Sequence, residues 1–358
     1  MQRINVGVIG LGEVAQIIHL PILESLADRF AIAALCDVSP SLLALMGERY
    51  RVPAAGQYAD FRELVKHPDL DAVFVLNSDE YHADCAIEAL EAGRHVLVEK
   101  PMCLAPTEAA AIIEARDQAG KQVMVGYMRR FAPAFLEAVK QVKALDRIHY
   151  ARVRDIIGPN RLIIDQSSTV FRPSDIPAEL GHDRAERATR LVREAIGDVP
   201  PLLVGTYRFL CGLNSHDLSA MRELIGFPKR VAAASVWNGG KFLAVTFEYD
   251  GYYAVLETGV DEQLRFDAHI EVYGGTKSVR VQYDTPYIRH LPTTLVLNET
   301  AGDTYTETVS RPHFKDPYTY ELEHFHAVVT EGVDPKTTPE DFGEDLRLFR
   351  MIMEALRG

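Results

Sequence analysis

Positive charge is scarce in this chain. Its 38 lysines and arginines are outnumbered by 51 aspartates and glutamates, for a formal net charge of -13. That balance argues against nucleic acid or an anionic membrane as a main partner, because both need a basic face. No unbroken apolar run approaches the roughly 18 residues that read as a membrane span. Cysteine is sparse too: Cys36, Cys85, Cys103 and Cys211 show no C-x-x-C spacing and no histidine at zinc-finger distance. They read as reduced thiols of a cytoplasmic protein. Met1-Gln2-Arg3 leads directly into a strand-like run without a signal-peptide pattern. Internal repeats, low-complexity segments and long linkers are missing. So are a nucleophile elbow, a phosphate-binding lysine loop and a nucleic-acid module.

What is present is an ordinary globular composition, 47% hydrophobic and 25% charged, over 358 residues. That length implies two domains. The first reads as alternating strands and helices. Ile4 to Ile9 is a buried strand, followed at once by Gly10-Leu11-Gly12-Glu13-Val14-Ala15. In this G-x-G-x-x-A loop Gly10 permits a tight turn, Gly12 lets the backbone approach a pyrophosphate, and Ala15 allows close helix packing. The helix that follows presents free N–H groups to phosphate, with Pro21 expected to kink or divide it.

A second strand, Phe30 to Cys36, ends in Asp37. A carboxylate there accepts hydrogen bonds from ribose hydroxyls and repels a 2′-phosphate, so the expected cofactor is NAD, with NADP as the alternative. A third strand, Asp71 to Leu76, runs into the polar loop of Asn77 and His82. The apolar run that begins at Arg94-His95 ends abruptly in Glu99-Lys100-Pro101, which delivers a cation to the ligand-binding end of a parallel sheet. Asn77, His82, Glu99 and Lys100 are therefore cofactor-side candidates, His82 serving equally well as a cap. A further helix, Pro106 to Ala119, and the strand Gln122 to Gly126 complete a doubly wound parallel sheet.

From about Arg147 strands follow one another with turn formers such as Asn238-Gly239-Gly240, Asp250-Gly251 and Gly274-Gly275 between them, which predicts a large antiparallel sheet. The expected division is residues 1–130 as nucleotide-binding domain and 131–358 as substrate and oligomerisation domain. The last helix is free to pack back on the first domain. A long connection, about 157–213, carries an amphipathic helix from Pro177 to Ile196 and reads as a lid or a dimer contact. Beyond it, Asn214 reads as the N-cap of a helix ending at Gly226, with His216 in its first turn and Asp217 at the third position. A histidine at a helix N-terminus rests neutral, as a general base requires. Glu321, His324 and His326 do not share a helix face, so no metal is expected.

Taken in order, Gly10 to Ala15, His19-Leu-Pro21, Asp71-Ala-Val, His95 to Pro101 and Val125-Gly126-Tyr127-Met-Arg129-Arg130-Phe131 resemble the glucose–fructose oxidoreductase / inositol dehydrogenase / rhizopine-catabolism family. The resemblance implies an N-terminal Rossmann domain and a C-terminal open-faced sheet through which homodimers or homotetramers form. It also implies hydride transfer between a nicotinamide and a polyol, sugar or cyclitol hydroxyl. Lys100 takes the position of the lysine that reaches the reacting oxygen, and His216 that of the catalytic histidine. The aspartate that precedes that histidine in the family falls on Gly212. Tyr127, Arg129 and Asn214 are candidate substrate contacts. The other readings are a dinucleotide-binding sensor without turnover and a family dehydrogenase acting on a non-sugar cyclic diol.

Overall fold

The computed structural model describes residues 2–358, which fold as two compact units. One holds the chain up to Gly126 together with Ser168–Gly197 and Glu321–Leu346; the other holds Tyr127–Ser167, Asp198–Tyr320 and Arg347–Gly358.

The first unit is built on six parallel strands: β1 (Ile4–Ile9), β2 (Phe30–Cys36), β3 (Gln57–Tyr58), β4 (Ala72–Val75), β5 (His95–Glu99) and β6 (Val123–Gly126). Their order is β3-β2-β1-β4-β5-β6. Helices on both faces bury β4 completely and β1 and β5 almost so, which is why these strands read as continuous apolar runs rather than alternations. The order reverses between β1 and β4, and in such sheets ligands bind outside the carboxyl ends of the strands at that point. The helix behind the glycine loop contains a π turn, Ala15–His19, followed by an α segment, Leu20–Ser25. The change of register comes immediately before Pro21, which has no N–H to donate.

The second unit carries eight strands: β7 (Tyr150–Ile157), β8 (Arg230–Trp237), β9 (Phe242–Glu248), β10 (Tyr253–Val260), β11 (Phe266–Tyr273), β12 (Lys277–Tyr283), β13 (Thr294–Ala301) and β14 (Thr304–Ser310). They lie in the order β14-β13-β12-β11-β7-β10-β9-β8, antiparallel throughout except where β7 meets β10. β7 shows the two-residue alternation expected of such a sheet. Ala151, Val153, Asp155 and Ile157 face inward, while Arg152 and Arg154 face outward and pair with Glu257 and Asp267.

The amphipathic pattern in the long connection forms a helix at Ala178–Ile196, burying Leu191, Val192 and Ile196. After it, the helix Pro201–Phe209 does not stop before His216. A π turn, Leu210–Asn214, joins it without a break to Ser215–Ile225. Asn214 has helical angles (φ -77°, ψ -6°) and makes no side-chain cap, so the expected helix start is not there. No helix among the described residues is long and apolar enough to cross a membrane.

Candidate active site

At the carboxyl edge of the parallel sheet, Gly10 has φ +88°, and a Cβ there would lie 2.5 Å from the backbone of Asn77. Glycine is thus what allows the loops after β1 and β4 to meet. Gly12 differs: a Cβ on it would meet nothing within 4 Å, so its backbone is open to a ligand. Asp37, beyond β2, accepts the Leu11 N–H at 2.8 Å and the Ser39 N–H at 2.9 Å. Burial pushes its pKa up, the two backbone N–H groups pull it down, and the Asp175 carboxylate adds repulsion; the net direction is upward. Ala15 is fully buried against the sheet. Glu13 pairs with Arg172 at 3.0 Å, and Val14 lies in the helical turn that opens there.

β5 delivers Glu99 and Lys100 as its pattern suggests. The buried His19 donates from Nε2 to Glu99 Oε1 at 2.8 Å, and the Lys100 N–H donates to Glu99 Oε2 at 3.0 Å. Burial alone raises the Glu99 pKa, but the His19 hydrogen bond and charge, with Lys100, outweigh it and hold the group low. Glu99 accordingly braces the strand end. The Lys100–Pro101 bond is cis. His82 lies between the carbonyl oxygens of Pro101 (Nδ1, 2.8 Å) and Asn77 (Nε2, 3.0 Å). With both nitrogens so placed, it ties two loops together. Asn77 donates to Cys85 Sγ at 3.4 Å, and its Oδ1 is buried without a hydrogen-bond partner among the described residues.

The remaining expected site residues belong to the second unit. Arg129 is buried between Asp217 (Nη1 to Oδ1, 2.5 Å) and Asp155 (Nη2 to Oδ2, 3.1 Å), and it lies over the Tyr283 ring at 5.0 Å. Asn214 donates to Thr258 Oγ1 at 2.8 Å and to Asp217 Oδ2 at 3.3 Å. Burial, and then the neighbouring Asp155, push the Asp217 pKa well above the usual range against the pull of Arg129. Arg129 and Asn214 are therefore engaged in an internal polar cluster. The reading of Asp217 at a helix start is corrected: its carboxyl accepts from the buried Arg129 guanidinium, and the helix runs on through Asn214 ahead of it. His216 packs edge-on to Tyr127, ring centroids 6.3 Å apart, and is 8% exposed. Because the helix continues through Asn214, the dipole argument for a neutral His216 does not hold. Gly212 sits in the π turn, where a Cβ would meet nothing within 4 Å.

Residues 4–127 match the model of an oxidoreductase family with an NAD-binding Rossmann fold. The match covers the N-terminal third of the chain. An inositol 2-dehydrogenase of Salmonella paratyphi B is 29% identical over 135 residues, 37% of this chain and 40% of that protein. The chain thus aligns with well under half the length of that relative. A myo-inositol 2-dehydrogenase of Thermotoga maritima is 28% identical over 343 residues, 94% of this chain and 91% of the relative. Among solved structures, an aldose-aldose oxidoreductase from Caulobacter crescentus complexed with glycerol is 22% identical, with a TM-score of 0.73 and coverage of 99% and 98%. That likeness speaks to the fold.

The first unit's residues fit a dinucleotide. Gly12 is open, Asp37 is held by two backbone N–H groups with a carboxylate to offer, and Asn77 Oδ1 is a buried acceptor lacking a donor. No three or more His, Cys, Asp or Glu among the described residues are arranged to hold a metal; His324 and His326 each bond to separate backbone groups. Sequence reasoning passed over His19 as a site residue, although it stood in the motif that carried the family resemblance. It also passed over Gln16 and Asp175, whose partners lie 155 and 136 residues away. Asp175 carried no signal of its own.

Proposed function

We propose that the chain is an NAD(P)-dependent dehydrogenase or reductase that moves hydride between nicotinamide and a secondary alcohol or ketone of a sugar, sugar derivative or cyclitol. The observation that carries this reading is the end of β5. There a buried His19–Glu99 pair holds the backbone of Lys100 at the ligand edge of a family-typical nucleotide fold. The inositol dehydrogenases among the relatives support the substrate class.

Bound nicotinamide would supply the hydride donor or acceptor. The part proposed for Lys100 is to place the substrate oxygen and stabilise its developing negative charge, typically the larger catalytic contribution. His216 is the proposed base that takes the hydroxyl proton in oxidation, its ring kept in place by the edge of Tyr127. This role rests on its position in the family pattern and on that packing, and no longer on a helix dipole.

A polyol panel assayed with NAD and NADP tests the proposal. Lys100→Ala is expected to lower kcat/KM by about a hundredfold or more, the loss typical of removing one charge-stabilising group, while still binding the dinucleotide. Full activity in that variant would remove the mechanism. Hydride exchange with no panel member, despite tight nucleotide binding, would favour a sensor that performs no turnover.

A further inference from the structure

The segment Ser168–Gly197, although it arises in the middle of the chain, belongs to the nucleotide-binding unit and is fastened across its ligand edge. The side-chain amide of Gln16 grips the backbone of Phe171 twice, accepting from its N–H at 2.9 Å and donating to its carbonyl at 3.0 Å. Arg172 pairs with Glu13 in the glycine loop. Further along, Arg187 donates to the Glu80 carbonyl at 2.5 Å and pairs with Asp84 at 2.7 Å. Asp175 lies between these anchor points.

Asp175 is not a loose surface carboxylate. Its Oδ1 accepts from the hydroxyl of the fully buried Ser39 at 2.5 Å, and its Oδ2 accepts from the Ser41 N–H at 2.8 Å. The same turn holds Asp37, whose Oδ1 accepts the Ser39 N–H. Two carboxylates are therefore held by neighbouring donors of one Ser-Pro-Ser turn directly after β2. In Rossmann folds this turn faces the adenosine ribose, and donors there receive the 2′-phosphate of NADP. Here the Ser39 hydroxyl and the Ser41 N–H are already taken, by a group of the same sign as a phosphate. The carboxylate repels Asp37 as well, one of the causes that lift the Asp37 pKa.

We propose that Asp175 is a specificity-determining residue, supplied by the segment that crosses the nucleotide edge, which excludes a 2′-phosphorylated cofactor by occupying the donors it would need. This deepens the dinucleotide reading above and rests on it. Asp37 rewards a free 2′-hydroxyl, and Asp175 penalises its phosphate. Discrimination built on both reward and penalty exceeds what either gives alone.

The test is calorimetric titration of the full chain with NAD and with NADP, for the natural protein, Asp175→Asn and Asp175→Ala. The natural protein is expected to prefer NAD. Asp175→Ala should raise the ratio of NADP to NAD affinity by about tenfold or more, the scale set by removing a like-charge juxtaposition. Asp175→Asn, which removes the charge and keeps the shape, should raise it less. An unchanged ratio in both variants overturns the proposal, as does a natural protein that binds the two nucleotides equally. Parallel loss of both affinities at a constant ratio would mean that Asp175 only fastens the segment, and would overturn it too. If the natural protein bound neither nucleotide, the dinucleotide reading itself would fail, an outcome distinct from a binding site that ignores Asp175.

Discussion

Glu99 in the first unit and Asp217 in the second are both carboxyl groups withdrawn from water, yet their proton affinities move in opposite directions. Burial raises the pKa of each. Around Glu99 the partners are a histidine and the amide and charge of Lys100, and they win; around Asp217 a second carboxyl, Asp155, competes for one arginine, and burial wins. The ratio of compensating to competing charge in the immediate surroundings decides the result. The Glu99 group braces a strand end that presents Lys100, while the Asp217 group locks a helix to the inner face of β7 through Arg129.

The two groups therefore make opposite contributions to stability as pH changes. Glu99, with its folded pKa depressed, contributes stability that is present above its unfolded pKa and is lost as pH falls through the folded value. Asp217, with its folded pKa raised, contributes stability that is full below its unfolded pKa and is lost as pH rises through the folded value.

The largest effect should come from Arg129→Met, which strands two carboxyls in the interior and so removes the compensating side of the Asp217 group. Denaturant unfolding at neutral pH should show a loss of about 3–5 kcal/mol, the usual result of removing one partner from a buried pair; a loss below about 1 kcal/mol would mean the cluster is hydrated. Glu99→Gln should cost less, about 1.5–3 kcal/mol as for a hydrogen bond to a charged group. The same unfolding curves repeated at acid pH should show that deficit shrinking once the natural Glu99 is itself protonated. A deficit independent of pH would mean that Glu99 has the same pKa folded and unfolded, and one that grows as pH falls would mean a raised pKa; either result erases the contrast with Asp217. Asp217→Asn should be the mildest, under about 1.5 kcal/mol, because the amide resembles the protonated acid and Arg129 keeps Asp155. Its deficit should fall as pH rises; a cost equal to that of Arg129→Met would mean Asp217 is fully ionised.

Much of the nucleotide edge was legible in the sequence, because the residues that build it are near one another along the chain. Gly10, Gly12 and Asp37 act through local turns, and a glycine's positive φ or an acid closing a strand leaves a local trace. The end of β5 was legible for the same reason. Asn214 misled because an asparagine ahead of a helical apolar stripe has the look of an N-cap. What carries the chain through is a π turn, in which the backbone hydrogen bonds continue with a longer register. Arg129 was readable as either a ligand contact or an ion-pair partner, and nothing local distinguished the two, since its acids stand 26 and 88 residues away.

The order of residues along the chain was enough to specify the alternation of strands and helices, the antiparallel hairpins, the glycine loop, Asp37 and the Glu99-Lys100-Pro101 strand end. Each of these follows from periodicity or from the conformational limits of one or two residues, which are properties of a short stretch of chain. Packing in three dimensions was needed to place Ser168–Gly197 with the nucleotide-binding unit, to set His19 against Glu99, and to spend Arg129 on Asp155 and Asp217. Those outcomes depend on which charges burial brings together, and a buried charge takes whatever partner the fold places beside it, however distant in sequence.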